Sequence, residues 1–189
     1  DLHAGQIQGF FSGPMDHLTA VPLLCSYLSR KNLQDVVIVS PDAGRVKMAK
    51  KYADHLSVPM AVLHKRRPGH GVSEILHVIG DVKDKIAVLT DDMIDTAGTM
   101  VSSSEALMEH GAREVYACAT HGIFSGPAKE RLDESPLREV VVTNTLPIPD
   151  ERKSEKLVVL SIASIFANTI ASVFKDESVS ELFGGDNQP

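Results

Sequence analysis

The chain has 189 residues, 43% hydrophobic and 23% charged, enough for one well-buried domain of ordinary globular composition, or for one domain and a remnant of another. A net charge of -6 with no basic stripe argues against a general nucleic-acid binder, and no apolar run approaches the ~20 residues of a membrane span. Two distant cysteines, Cys25 and Cys118, exclude a disulfide framework or zinc site, so reduced buried thiols and a cytoplasmic location are expected.

In chain order, Val36-Val37-Ile38-Val39 is an apolar run between Asp35 and Ser40-Pro41, the pattern of a strand buried on both faces. Val46, Ala49, Ala53 and Leu56 recur at helical spacing and predict an amphipathic helix over 44–56, ending before Pro59. Strands are expected at 60–63 and 86–89. Met100, Val101, Leu107 and Met108 mark the inner face of the next helix, with Gly111 as its C-terminal cap. Strands at 114–119, 139–142 and 157–160, a short helix at 127–132 and a last helix carrying Ile162, Ile165, Phe166, Ile170 and Val173 complete the set. Strands separated by helices imply right-handed crossovers, hence a doubly wound α/β domain whose mostly parallel sheet has helices on both faces. Only 184–189 reads as a disordered tail. Ligands of such sheets bind at the carboxyl ends of the strands, which directs attention to the loops after Val39, Leu63 and Leu89.

The stretch Ala87-Val-Leu-Thr-Asp-Asp-Met-Ile-Asp-Thr-Ala-Gly-Thr99 is the most informative. A buried strand delivers Asp91 and Asp92, and the small residues Asp95, Thr96, Ala97, Gly98 and Thr99 then turn directly into a helix. Free N–H groups at a helix start favour a phosphate, and threonine hydroxyls add donors. The carboxylates would repel phosphate but accept well from sugar hydroxyls. A ligand with phosphate at one end and vicinal hydroxyls at the other, such as ribose 5-phosphate, satisfies both halves. Lys65, Arg66 and Arg67 follow a strand beside Pro68, Gly69 and Gly71, the composition of a mobile basic loop that folds over polyphosphate. Neither a P-loop sequence nor Gly-x-Gly-x-x-Gly occurs. Asp42, also at a strand end, suits magnesium, which prefers oxygen ligands; His3 is the less expected ligand on chemistry alone.

The segment around Asp91–Thr99 resembles the phosphoribosyl-pyrophosphate-binding motif of type I phosphoribosyltransferase folds. Its form is similar to that of the ribose-phosphate pyrophosphokinases in particular. Further blocks carry the same resemblance: Asp1-Leu-His-Ala-Gly-Gln-Ile-Gln-Gly-Phe-Phe11, Val39-Ser-Pro-Asp-Ala-Gly44, His64-Lys-Arg-Arg-Pro68, Thr120-His-Gly-Ile-Phe-Ser-Gly-Pro127 and Val142-Thr-Asn-Thr145. The likeness runs from Asp1 to about Phe183, whereas the salvage phosphoribosyltransferases share only the Asp91–Thr99 motif.

By this resemblance 1–18 is a segment near a domain junction and 19–183 the ribose-5-phosphate-binding domain. The family's N-terminal domain, with its residues for the adenine of ATP, is expected to be missing, which a chain opening on Asp1 rather than Met fits. The resemblance also implies synthesis of phosphoribosyl pyrophosphate from ATP and ribose 5-phosphate. Lys65 would be the catalytic lysine, with Arg67 contacting substrate phosphates and His3 and Asp42 contacting Mg2+. Ser12 stands where family members commonly have Asp and cannot supply a carboxylate to a second cation site. The C-terminal Glu177-Ser-Val-Ser-Glu-Leu-Phe183 resembles the family's allosteric Ser-x-Ser. In an extended segment Ser178 and Ser180 would point the same way and hold phosphate or ADP together, with Leu182 and Phe183 as buried anchors. Gln8 and Asp16 would line that site from a neighbouring subunit of a homo-oligomer, typically a hexamer. The competing expectations are a salvage phosphoribosyltransferase, for which no base-recognition hood is visible, and a non-catalytic regulatory homologue, in which Asp91, Asp92 or Lys65 should be eroded.

Overall fold

The computed structural model describes residues 1–66, 75–185 and 187. Among them, seven strands form one sheet: β1 (Val36–Ser40), β2 (Met60–Arg66), β3 (Ile75–Ile79), β4 (Ile86–Ile94), β5 (Glu114–Gly122), β6 (Leu137–Thr143) and β7 (Leu157–Leu160). Their order is β3-β2-β1-β4-β5-β6-β7, parallel throughout except that β3 runs antiparallel to β2. The helices are α1 (Val21–Arg30), α2 (Val46–Leu56), α3 (Gly98–Glu109), α4 (Ala128–Glu134) and α5 (Ala163–Phe174).

Strand residues alternate between two cores, which is why the central strands read as continuous apolar runs. Val37, Val39, Ala87, Leu89, Val115 and Ala117 pack with Met100 and Leu107 of α3 and Leu132 of α4. Ile38, Ile86, Val88, Tyr116 and Cys118 pack with Leu24 and Leu28 of α1 and Ala49, Tyr52 and Ala53 of α2. Each buried Leu or Val contributes about 1.5–3 kcal/mol of transfer free energy, so a face left uncovered would cost many such contributions. Helices on both faces are thus required, as expected. Both cysteines are buried.

Gly111 stops α3 as anticipated. Its φ of +87° lets Gly111 N donate to Met108 O at 3.0 Å and Ala112 N to Leu107 O at 3.0 Å, a Schellman closure. The inner face of α3 differs from the expected one. Met100 and Leu107 are buried with Ser103 and Ser104, while Val101 is half-buried and Met108 is 39% exposed. α1 and β3 were not among the expected elements. In α5, Phe166, Ile170 and Val173 are about half exposed and Phe174 is 87% exposed, whereas Thr169 and Ser172 are buried. α5 lies near the start of α1 and the turn at 180–183, with a hollow between them lined by Thr19, Pro22, Leu23, Ile165 and Phe183.

The chain leaves β1 towards β2 on one side and returns to β4 on the other. The carboxyl ends of β1 and β4 therefore flank the topological switch point, where the crevice of a doubly wound sheet opens.

Candidate functional site

β4 extends to Ile94, five residues beyond the predicted run, and brings Asp91 and Asp92 to the crevice inside the strand rather than after it. Asp92 is fully buried. Arg45, launched from the end of β1, reaches both carboxylates: Nε lies 3.1 Å from Asp91 Oδ1 and Nη1 2.9 Å from Asp92 Oδ2. His3 Nδ1 sits 3.0 Å from Asp92 Oδ2 and 2.7 Å from Arg45 Nη2. Unprotonated, that nitrogen accepts from the guanidinium; protonated, it donates to the carboxylate. Asp92 N donates to Asp91 Oδ1 at 2.9 Å. The other oxygen of Asp92, Oδ1, is buried with no partner among the described residues. Burial pushes Asp91 up to about 7, outweighing its hydrogen bond from Asp92 N and the attraction of Arg45, whose single charge is shared with Asp92.

Two local devices hold this cluster. Asp42 Oδ1 accepts from Gly44 N at 2.8 Å and Arg45 N at 3.0 Å, and Ser40 Oγ donates to Asp42 O at 2.6 Å. This Asx turn caps a short 3-10 turn (Ala43–Arg45) and fixes where Arg45 departs. His3 is carried in by its own segment. Asp1 accepts from Thr19 Oγ1 at 2.7 Å, Ala20 N at 2.8 Å and Thr120 Oγ1 at 2.6 Å, and His121 Nε2 lies 2.7 Å from Asp1 O. Among the described residues, no group of three or more His, Cys, Asp and Glu side chains is gathered as for a metal ion. His3 thus meets Asp92 and Arg45, while Asp42 serves the backbone of its own turn.

The second half of the crevice is the small-residue loop. Ala97 adopts φ +61°, a left-handed conformation that costs a non-glycine residue about 1–2 kcal/mol. α3 begins at Gly98, so the loop delivers a first helical turn whose N–H groups have no acceptor within the helix. Asp91, Asp95, Thr96, Gly98 and Thr99 line a cavity of about 150 Å³ there. The loop is braced from behind, since Ser125 Oγ donates to Asp95 Oδ1, Ser125 N to Asp95 O at 3.1 Å, and Arg131 Nη1 to Thr96 O at 3.0 Å. A Cβ on Gly98 would meet Arg131 Nη1 at 3.5 Å, an ordinary contact, so the glycine is not there for want of space. A larger hollow of about 250 Å³ lies towards the other end of the sheet, lined by Leu28, Leu33, Val36, Leu56 and Val58 without a charged side chain.

The remaining predicted residues are scattered. Lys65 and Arg66, expected in a loop after the strand, lie instead within β2, paired with Leu76 and Ile75 of β3, because the strand runs three residues beyond the predicted 60–63. Arg67, Pro68, Gly69 and Gly71 lie outside the described residues. Gln8 sits in a 3-10 turn (Gly5–Phe10), donating to Gly5 O at 3.2 Å, and Asp16 is exposed. The expected extended Ser-x-Ser segment is corrected: Ser180 starts a 3-10 turn (Ser180–Phe183), and Val179 and Phe183 are the buried anchors, with Leu182 43% exposed. Asn187, in the predicted tail, is buried; its Nδ2 donates to His17 O at 3.1 Å and lies 3.4 Å from Ser180 Oγ. Arg45, Asp1, Ser125 and Arg131 were not foreseen as site residues. Asp1 and Ser125 fall inside blocks quoted for the resemblance, but none of the four carries a local signal of its contact.

A doubly wound sheet whose switch-point crevice joins an acid couple to a small-residue helix start defines the type I phosphoribosyltransferase class of fold. The likeness to orotate phosphoribosyltransferase from Aeropyrum pernix, with a TM-score of 0.54 at 20% identity over 80% of this chain and 74% of the other, bears on fold alone. The chain belongs to the phosphoribosyl synthetase-associated domain family, which its residues 70–184 match. It is 54% identical over 184 residues to the ribose-phosphate pyrophosphokinase of Caldanaerobacter subterraneus, covering 97% of this chain and 58% of that relative. Its likeness to phosphoribosylpyrophosphate synthetase from Mycobacterium smegmatis has a TM-score of 0.85 at 50% identity, over 93% of this chain and 57% of the other. The chain thus spans a little over half the length of these relatives.

Proposed function

We propose that this chain is the ribose-5-phosphate-binding part of a ribose-phosphate pyrophosphokinase, the enzyme that makes phosphoribosyl pyrophosphate from ribose 5-phosphate and ATP. One observation carries the proposal: Asp91, tied through Arg45 to the buried Asp92, lines the same cavity as an open helix start built of Asp95–Thr99. Asp91 and Asp92 orient the ribose hydroxyls, Asp91 from the cavity lining and Asp92 through the Arg45 that the two carboxylates share. The N–H groups of Thr96, Ala97, Gly98 and Thr99 and the threonine hydroxyls hold the 5-phosphate.

The anomeric hydroxyl oxygen attacks the β-phosphorus of ATP in line. The bond from that phosphorus to the oxygen bridging it to the α-phosphate breaks, AMP leaves, and the hydroxyl proton is released. Such transfers depend on alignment and charge neutralisation more than on a protein nucleophile. Lys65 and Arg67 stabilise charge on the migrating pyrophosphoryl group. Asp42 suits magnesium as a carboxylate, both of its backbone hydrogen bonds falling on Oδ1, while His3 meets Asp92 and Arg45 rather than Asp42. His3 and Asp42 would hold the ion, with phosphate oxygens and water completing its shell. When bound, magnesium neutralises charge on the phosphates of ATP.

The same reading makes 1–18 a junction segment, 19–183 the substrate domain, and the assembly a homo-oligomer, a hexamer by resemblance. Ser178 and Ser180, with Gln8 and Asp16 of a neighbour, would take phosphate or ADP as effectors. Reduced buried Cys25 and Cys118 support a cytoplasmic location, and no described helix is long and apolar enough to cross a membrane. AMP release from Mg-ATP and ribose 5-phosphate by the full-length protein tests the activity, and its absence from a folded preparation would refute it. Calorimetric titration with ribose 5-phosphate tests the site separately.

A further inference from the structure

We propose that Arg131 positions the phosphate end of the crevice: its guanidinium holds Thr96 O from behind and so turns the Ala97 N–H towards the 5-phosphate, without touching the ligand itself. The inference deepens the reading that the Asp95–Thr99 loop takes a sugar phosphate, and rests on it. Arg131 belongs to α4, which the buried Ala128 and Leu132 fasten to the core. From that fixed helix Nη1 donates to Thr96 O at 3.0 Å. Neither Arg131 nor any other lysine or arginine among the described residues lines the loop cavity. The influence of Arg131 on a ligand there passes through the loop backbone.

Across a planar trans peptide the carbonyl and the next N–H point in opposite directions. Two successive peptides of the loop are anchored by their carbonyls. Ser125 N donates to Asp95 O at 3.1 Å, so the Thr96 N–H faces away from residue 125. Arg131 does the same for the next peptide, so the Ala97 N–H faces away from the guanidinium. Neither N–H meets an acceptor among the described residues, and Thr96 and Ala97 both line the cavity. Ala97 has a φ of +61°, and a left-handed residue in a turn gathers successive N–H groups into a concavity that suits an anion. The two anchors differ in kind. The one at Asp95 O is made by backbone and survives side-chain truncation, whereas the one at Thr96 O depends on a single side chain. Without the guanidinium, the strain at Ala97 favours turning of the 96–97 peptide. Arg131 is thus a positioning residue, acting through Thr96 and Ala97.

Arg131→Met and Arg131→Lys in the full-length protein test this. By calorimetry in millimolar Mg2+, Arg131→Met should raise the Kd for ribose 5-phosphate about tenfold, and Arg131→Lys, which keeps a charged donor, should stay within about threefold of the unaltered protein. In steady-state rates the KM for ribose 5-phosphate should rise in Arg131→Met far more than kcat falls, because the 5-phosphate is held alike before and during transfer. Crystal structures without ligand should show the 96–97 peptide turned in Arg131→Met and unmoved in Arg131→Lys. An unchanged Kd in Arg131→Met would overturn the inference. So would a weakened Kd with the peptide unmoved, which would leave only direct attraction between guanidinium and phosphate. Arg131 is exposed, so the melting midpoint should hardly move; a large drop with Kd unchanged would make the residue structural alone and overturn its positioning role. No ribose 5-phosphate binding by the unaltered protein would sink the site assignment, while the crystal structures would still decide whether Arg131 sets the peptide. If Arg131→Met fails to fold, Arg131→Gln is carried through the same measurements and judged by the same outcomes.

Discussion

The two halves of the crevice are built on opposite plans. At the acid half, side chains from three distant segments (His3, Arg45 and the Asp91–Asp92 couple) are joined by contacts of 2.7 to 3.1 Å. At the loop half, Asp95 to Thr99 leave a first helical turn open over a cavity and rely on Ser125 and Arg131 behind it. The difference teaches where specificity and strain reside. The acid half is set by side-chain identity, so truncation there should damage the fold as well as the ligand site. The loop half is set by backbone conformation, so truncation there should damage binding and leave stability nearly intact.

The largest expected effect belongs to neither half. Lys65→Ala in the full-length enzyme should lower kcat by roughly 10²-fold or more while the Kd for ribose 5-phosphate hardly moves, the signature of an interaction made in the transition state. Steady-state rates alongside calorimetry check this, and a normal kcat would remove Lys65 from the mechanism. Next comes Asp92→Ala, which strands Arg45 beside a single partly buried carboxylate. Denaturant titration should show a loss on the order of 3 kcal/mol, the lower end of what breaking a buried pair costs. Thr99→Val is the counterpart in the loop. It should weaken ribose 5-phosphate binding by about 1–3 kcal/mol with little change in the unfolding midpoint; a large stability loss would blur the contrast between the halves.

A pH titration of stability sharpens the acid half further. Asp91 is pushed up to about 7 in the folded chain, so between its ordinary value near 3.8 and 7 the folded state holds a proton that the unfolded state has lost. Stability should therefore fall as pH rises through that window, and Asp91→Asn should flatten this component of the curve. Unaltered slope in the variant would mean that Asp91 is not the titrating group. The smallest effect is expected for Ser178→Ala with Ser180→Ala. It should blunt ADP inhibition and phosphate activation without changing ribose 5-phosphate affinity, and unchanged effector responses would leave this turn a structural element alone.

Much of the scaffold was legible because its signals are local. The two-face apolar runs of β1, β4 and β5, the helical spacing of Val46 to Leu56 and the glycine at 111 each state their structure within a few residues. The candidate site was legible as a sequence because Asp91 to Thr99 is continuous in the chain. α1 was legible too, with Val21, Leu24, Cys25 and Leu28 at helical spacing and Pro22 as a start signal, yet it is missing from the expected elements. What stayed hidden is non-local. Arg45 meets residues 46 and 47 positions further on and His3 meets one 89 positions away, and no local period encodes such a meeting. β3 is antiparallel to β2 through a pairing that periodicity cannot orient. α5 misleads for a different reason. Its apolar residues predict a buried face, but the side that is buried carries Thr169 and Ser172.

From Ile86 to Leu89 the alternation of β4 between the two cores makes residue parity an address. Ala87 and Leu89 belong to the face of α3 and α4, Ile86 and Val88 to the face of α1 and α2, with Asp91 and Asp92 next in the same count. Deleting one residue between Ile86 and Thr90 would move Asp92 into the place of Asp91 and Asp91 into that of Thr90, taking Asp92 from its contact with Arg45. A loop on the surface tolerates such a change in length; this strand cannot. β4 is thus inelastic to insertion and deletion, and any natural or designed variation in the crevice must come through substitution within it or through altered loops around it.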